Sequence, residues 1–377
     1  MTPRLPCIPG TGSDRTMSLL HEIRDNRQLW LLVFVPVLFV VDHLAPESHT
    51  LLFVLSILAI FPLALLLSHS TEAVASRMGD ATGGLLNASL GNLTELVIAL
   101  TAFRAGEYAL VKASIAGAIV TNTLFMLGAS FLLGGLKHRV QEFNRVNARF
   151  QASLVFVATI AILIPSAVTA VDSVAMSTFT HQLSVGLSLL LIVVYGLGLL
   201  FSLKTHREFF SNQEETGGEH TPMGAALATL AGATACVALV SEVFVESVQQ
   251  AAVSFGMTPA FVGFIIVAIV GGAAEMASAF SGARKNRLDL SVGIALGSAS
   301  QIVLFVAPVL VLLSYVLGPA PMDLQFWPSA VVMMFLAAMT VVLVTTNGRS
   351  TWFVGVLLLM VYVILAMPLY LLPPQVQ

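Results

Sequence analysis

The chain has 377 residues, 57% of them hydrophobic and 10% charged, and its 17 Lys+Arg and 20 Asp+Glu leave a formal charge of −3. A soluble surface carries about 25% charged residues, and so small a net charge makes no field for a polyanion. A soluble enzyme, a disordered regulator and an ordinary nucleic-acid binder are therefore excluded. Cys7 and Cys236, one in a tail and one in an apolar run, form neither a disulfide framework nor a metal motif.

A membrane-crossing helix takes about 20 mostly apolar residues. Eleven such runs follow the polar tail, near 29–42, 50–69, 83–103, 108–134, 151–171, 182–203, 222–246, 258–281, 289–315, 326–346 and 351–372. The first is followed by no small-residue cleavage site and is expected to remain as a span. All are too long and too continuously apolar for barrel strands of about 10 alternating residues. The expected fold is an all-α polytopic membrane protein with 11 transmembrane helices. A cytoplasmic N-terminus puts Arg4, Arg15, Arg24, Arg27, Arg77, Lys137, Arg139, Arg145, Arg149, Lys204, Arg207, Arg284, Lys285, Arg287 and Arg349 inside, and only Arg104 and Lys112 outside. Basic residues favour cytoplasmic segments, so the N-terminus is expected inside and the C-terminus outside.

The longest hydrophilic connection, 204–221, carries Glu208, Glu214, Glu215 and Glu219. It divides the chain into a tail with its first helix (1–49), a first five-helix unit (50–203), the acidic cytoplasmic loop itself, and a second five-helix unit (222–377). A gapless self-match at an offset of 180 residues supports a duplication. Gly91-Asn92-Leu93-Thr94-Glu95 overlies Gly271-Gly272-Ala273-Ala274-Glu275, Arg104 overlies Arg284, Gly117 overlies Gly297, and Leu124-Phe125 overlies Leu304-Phe305. The weight rests on rare residues coinciding. Five spans are an odd number, so the second unit must be inverted, which is the common plan of secondary transporters with a site near the midplane.

Glu72, Glu95, Glu242 and Glu275 lie in or near apolar spans without a Lys or Arg at helical spacing in the same span. A membrane-embedded carboxylate costs on the order of 3 kcal/mol and marks an ion path by default. Glu72, near its span's inner end, fits plain solvation equally well, and Glu242, with Glu246 one turn later, suits a water-filled vestibule. Glu95 and Glu275 are deep. Asn92 shares a helical face with Glu95, while Gly91, Gly271 and Gly272 allow close helix approach or a local break. Across the repeat, Gly117, Thr121 and Asn122 match Gly297, Ser298 and Gln301, which suit helix packing as well as ligation.

Carboxylate, amide and carbonyl oxygens are hard donors, and no Cys or His clusters with them, so Ca²⁺, Na⁺ or a similar cation is expected rather than zinc or copper. Two carboxylates on a pseudo-twofold axis would neutralise one divalent cation. Without it, repulsion and desolvation disfavour two buried anions, and the pair takes up protons instead. Competition for the same carboxylates suffices for antiport. There is no HExxH, no GxSxG and no nucleotide-binding loop, so neither an enzyme nor an ATP-driven pump is expected, and no resident cofactor. The expected partners are inorganic cations, protons and the lipid bilayer, with no nucleic acid.

GNLTELVIAL (91–100) with GAIVTNTLFMLGASFLLGG (117–135) resembles the first signature repeat of CAX-type cation/proton exchangers in the calcium/cation antiporter superfamily. FVGFIIVAIVGGAAEMASAFSGARKNRLDLSVGIALGSASQIVLFVAP (261–308) resembles the second. TEAVASRMGDATGGLLNASLGN (71–92), SEVFVES (241–247) and the acidic 208–219 segment resemble the family's other conserved stretches. The resemblance implies an eleven-span exchanger moving Ca²⁺ out of the cytoplasm against protons, expected in a bacterial inner (plasma) membrane. It implies that Glu95 and Glu275 are the shared cation and proton carboxylates and metal ligands, that Asn92 is their partner, and that Glu72 and Glu242 line the approach. The family's second repeat usually reads Gly-Asn-x-x-Glu-His, whereas Gly272 and Met276 stand here. Ca²⁺ takes 6–8 oxygens, so a lost amide keeps Na⁺(K⁺)/H⁺ exchange on the same fold as the nearest alternative. A cation channel, which would show no proton coupling, is disfavoured by the inverted repeat.

Overall fold

In a computed structural model the structure describes residues 27–78, 80–168, 174–206, 208 and 223–371. Cys7, Arg4, Arg15, Arg24, Arg207 and the loop glutamates Glu214, Glu215 and Glu219 lie outside the described residues.

With no water in hydrocarbon, backbone groups must pair within their own segment, and the apolar runs are helices. A 3-10 turn at Arg27–Val33 leads into α1 (Phe34–Leu44) and α2 (His49–Ala75). Then come α3 (Asp80–Leu90), α4 (Leu93–Arg104), α5 (Tyr108–Val120), α6 (Leu127–His138), α7 (Arg145–Val168) and α8 (Val174–Leu200). The second half holds α9 (Met223–Ser254), α10 (Pro259–Phe261), α11 (Ala268–Gly271), α12 (Ala273–Arg284), α13 (Leu288–Gln301), α14 (Ala307–Leu317), α15 (Pro328–Val344) and α16 (Trp352–Leu371). Among the described residues, 8 helices are long and apolar enough to span a bilayer. The bent pair Pro259–Gly271 and Ala273–Arg284 makes a ninth, and Gln28–Leu44 is a shorter apolar helix. Several helices outrun the apolar windows, α9 reaching Ser254, because a helix continues into the aqueous interface where hydropathy stops marking it.

Two expected spans are broken. The 83–103 run divides into α3 and α4 at Gly91-Asn92, where Asn92 has φ −102° and ψ 33°. The 258–281 run bends by 60° at Gly272, whose φ is −82° and ψ 15°. Position 92 plus the offset of 180 is 272, so both breaks fall on the same repeat position. π-helical segments recur similarly, Thr121–Met126 between α5 and α6 and Ile302–Val306 between α13 and α14.

Helix packing uses glycine where backbones touch. A Cβ on Gly117 of α5 would lie 2.1 Å from the Phe264 carbonyl oxygen in the π segment Val262–Val267, and one on Gly355 of α16 would lie 2.5 Å from the Gly128 oxygen of α6. Phe53 of α2 stacks on Phe244 of α9 with ring centroids 5.4 Å apart. Buried hydroxyls return to their own helices, as Ser56 does to the Leu52 oxygen at 2.8 Å and Ser241 to the Val237 oxygen at 2.6 Å, which satisfies them without a partner helix.

One feature departs from the all-helical expectation. β1 (Val140–Glu142) pairs antiparallel with β2 (Arg349–Thr351), Gln141 opposite Ser350, and Arg349 bridges Glu142 at 2.7 Å. Nothing local announces it, because its partners lie some 200 residues apart. At the other end, Lys112 donates to Asp323 at 2.6 Å, and Asp323 also accepts the Gln325 amide at 2.8 Å. Both side chains of this ion pair are about one-fifth exposed (19% and 21%). Tyr108 adds two bonds to Ala320, so the connection after α14 is fastened to the first turns of α5. Asp323→Ala leaves Lys112 half-buried and unpaired, and is expected to destabilise by about 1–3 kcal/mol, read as a lower melting temperature in detergent. The pairwise apolar replacement Lys112→Met with Asp323→Leu should recover part of the loss.

Candidate cation and proton site

Each helix break places a glutamate in the first turn that follows it, Glu95 in α4 and Glu275 in α12. A helix N-terminus carries partial positive charge and unpaired amides, so the breaks offset part of the cost of a carboxylate at this depth. The two glutamates lie close enough to interact as charges. Gly271 makes the approach possible, since a Cβ there would lie 3.0 Å from Glu95 Cγ. A side chain at 271 would push the two breaks apart.

A polar chain joins the two halves beside the pair. Asn92 donates to Gln301 Oε1 at 2.6 Å, the Ser298 hydroxyl donates to Asn92 Oδ1 at 2.6 Å, and Asn122 donates to Ser298 Oγ at 2.8 Å. The donors are thus used among themselves and the acceptors are left over. Glu95 Oε1, Glu95 Oε2, Glu275 Oε2 and Asn122 Oδ1 are buried without a hydrogen-bond partner. Buried acceptors normally have a partner. Four orphaned oxygens, three of them carboxylate, suit a hard cation, or protons on the carboxylates, and not a donor-poor apolar core.

The glutamates open on different spaces. Glu275 lines a vestibule of about 280 Å³ with Glu72, Asn87, Gly91, Asn92, Asp289, Gly297, Ser298 and Gln301. Glu95 lines a pocket of about 20 Å³ walled by Ile98, Ile115, Ala118, Val267, Ile302 and Val306. The pair therefore divides a wide polar chamber from a closed apolar one. Gly272 keeps room at the division, where an added Cβ would lie 3.5 Å from Asn122 Oδ1.

Of the twelve residues singled out in the sequence, Glu95, Glu275, Asn92, Gly91, Gly271, Gly272, Asn122, Ser298 and Gln301 come together here, and exposed Glu72 lines the chamber. Thr121 instead meets the Tyr362 hydroxyl at 3.2 Å, away from both spaces. Glu242 and Glu246 are exposed on α9 and line neither space. Sequence reasoning missed Asn87, Ser68, Ser278 and Asp289 of the vestibule. Asn87 lies five residues before Asn92, but a polar residue near a span's end carries no mark of the chamber it faces.

The chain matches the sodium/calcium exchanger protein family over residues 48–204 and 225–371. It belongs to that family. Among exchanger relatives it is similar to a Ca²⁺/H⁺ antiporter of Aphanothece halophytica, 38% identical over 91% of this chain and 96% of that one. It is also similar to the Ca²⁺/H⁺ antiporter ChaA of Bacillus subtilis (strain 168), 39% identical over 92% and 100%. The solved structure of native YfkE superposes with a TM-score of 0.78 at 36% identity, covering 92% of this chain and all (100%) of that one. The H⁺/Ca²⁺ exchanger CAX shares the exchanger fold at a TM-score of 0.69 and 16% identity, over 94% and 89%.

Proposed function

We propose that this member of the sodium/calcium exchanger family is a secondary antiporter that exchanges cytoplasmic Ca²⁺ for protons by alternating access. The observation that carries the reading is the set of four unpartnered oxygens where two broken helices meet. The antiporter relatives, similar over nearly the whole chain, support the substrate pair. Glu95 and Glu275 bind either the cation or protons, and Asn92, held by Ser298 and Gln301, fixes the frame beside them. The vestibule's mouth carries Asp289 next to Arg287, on the end where basic residues gather. That places the open chamber on the cytoplasmic side, with the N-terminus inside and the C-terminus outside, in a bacterial inner membrane. Eleven spans, one helix followed by two inverted five-helix units (50–203 and 222–377), account for the breaks and π segments recurring at one offset.

The test is flux in proteoliposomes with an imposed pH gradient. Ca²⁺ uptake should run against proton release, collapse with an uncoupler, and be inhibited little by Na⁺ or K⁺ at equal concentration. Proton release driven equally by Na⁺ would transfer the assignment to Na⁺/H⁺ exchange, as the oxygen lost at Gly272 would allow. Cation flow indifferent to the pH gradient would make it a channel.

A further inference from the structure

A second cavity of about 450 Å³ adjoins the vestibule and has the opposite character. It is bounded by the Arg27–Val33 turn, α2 and the α12–α13 connection, and its polar wall is Gln28, His69, Ser281, Lys285 and Arg287, with no acid. The vestibule has Glu72, Glu275 and Asp289 and no base. Ser278 and Leu290 line both cavities, so a single layer of side chains separates a basic recess from an acidic one. Bases on the rim of a cation path repel the cation unless an anion balances them.

The recess also has the setting of a lipid site. Leu65 and Leu290 supply an apolar flank, and Leu29 is buried against Leu65, Ala64 and Ala274, which closes the floor beneath the first turn. Trp30, next along, is 63% exposed, and tryptophan favours the headgroup level of a bilayer. Basic pockets between membrane helices on the cytoplasmic side suit anionic headgroups. We propose that this cavity holds a phosphate group, carried by an anionic lipid, against Lys285 and Arg287. Its headgroup neutralises the bases that border the vestibule. The sidedness rests on the orientation given above; the binding itself does not require the exchange reaction.

The test is binding to the full chain, purified in a neutral detergent, read by native mass spectrometry. Phosphatidylglycerol should be retained over phosphatidylcholine, and Lys285→Gln with Arg287→Gln should weaken retention at least about tenfold, as two lost surface bases predict. Lys285→Arg with Arg287→Lys, which keeps the charge, should retain it and shows that any loss is not misfolding. An inorganic phosphate arm separates the sources. Saturation by phosphatidylglycerol with no displacement by millimolar phosphate assigns the lipid, and displacement by phosphate assigns the shared anion. Equal retention by the neutralised variant, or binding of neither probe, overturns the proposal.

Discussion

Glu95→Gln and Glu275→Gln should each abolish proton-coupled Ca²⁺ uptake, by about a hundredfold or more, while leaving the fold intact. Gln keeps the shape and one acceptor oxygen but removes the charge and the titratable group. A charge-assisted contact contributes about 1.5–3 kcal/mol, or about 10- to 100-fold in cation binding. Loss of the proton site then ends coupling altogether. Stability should not fall, because both oxygens of Glu95 and Oε2 of Glu275 have no partner in the protein to lose. A neutral group at this depth is also less costly than a carboxylate. The measurement pairs flux with a thermal melt. Persisting coupled flux in either variant would remove the assigned roles, and a large drop in melting temperature would make the glutamates structural.

The second large effect separates two glycines that the repeat treats as equivalent. Gly117→Ala should prevent correct assembly or cost about 3 kcal/mol or more, the upper end of the overpacking range. Its added Cβ would lie 2.1 Å from the Phe264 carbonyl oxygen and 2.5 Å from Phe264 Cα. Both are backbone atoms, so no rotamer can yield, and α5 would have to separate from the π segment it crosses. Gly297→Ala, the same change 180 residues on, should fold normally, within about 0.5 kcal/mol of the parent. An added Cβ there meets nothing within 4 Å, and the residue lines the vestibule. Expression and melting of the two variants side by side decide it. Equal tolerance would mean that the close crossing at Gly117 is not a constraint of the fold.

Much of the site was legible because polar residues are expensive in apolar runs. Glu95 and Glu275 stood out against hydrocarbon-compatible neighbours, and Asn92 and Gly91 followed from the helical face they share with Glu95. The matching of Asn122 with Ser298 and Gln301 across the repeat pointed to residues that do meet, through the bonds from Asn122 to Ser298 and from Asn92 to Gln301. The same logic misplaced Thr121, because a hydroxyl one residue from Asn122 points about 100° away around the helix, here toward Tyr362. It also drew Glu242 toward the pathway, although α9 turns that carboxylate to an exposed face. Periodicity tells that a side chain is polar and which face it shares, but not what the face meets.

The sequence by itself determined that this chain lives in a membrane, how its halves repeat, and which carboxylates are too deep to be solvation. Those are consequences of transfer cost, which each residue carries wherever it goes. Only the tertiary structure decided that the two breaks meet with four acceptors to spare, that one glutamate faces a wide chamber and the other a closed pocket, and that a basic recess shares the chamber's wall. Each of these depends on which helix lies against which. In a bilayer the helices' apolar surfaces are nearly equivalent to lipid, so packing is set by glycine contacts and a few cross-helix hydrogen bonds. Their partners lie up to about 200 residues apart, beyond the reach of any local pattern.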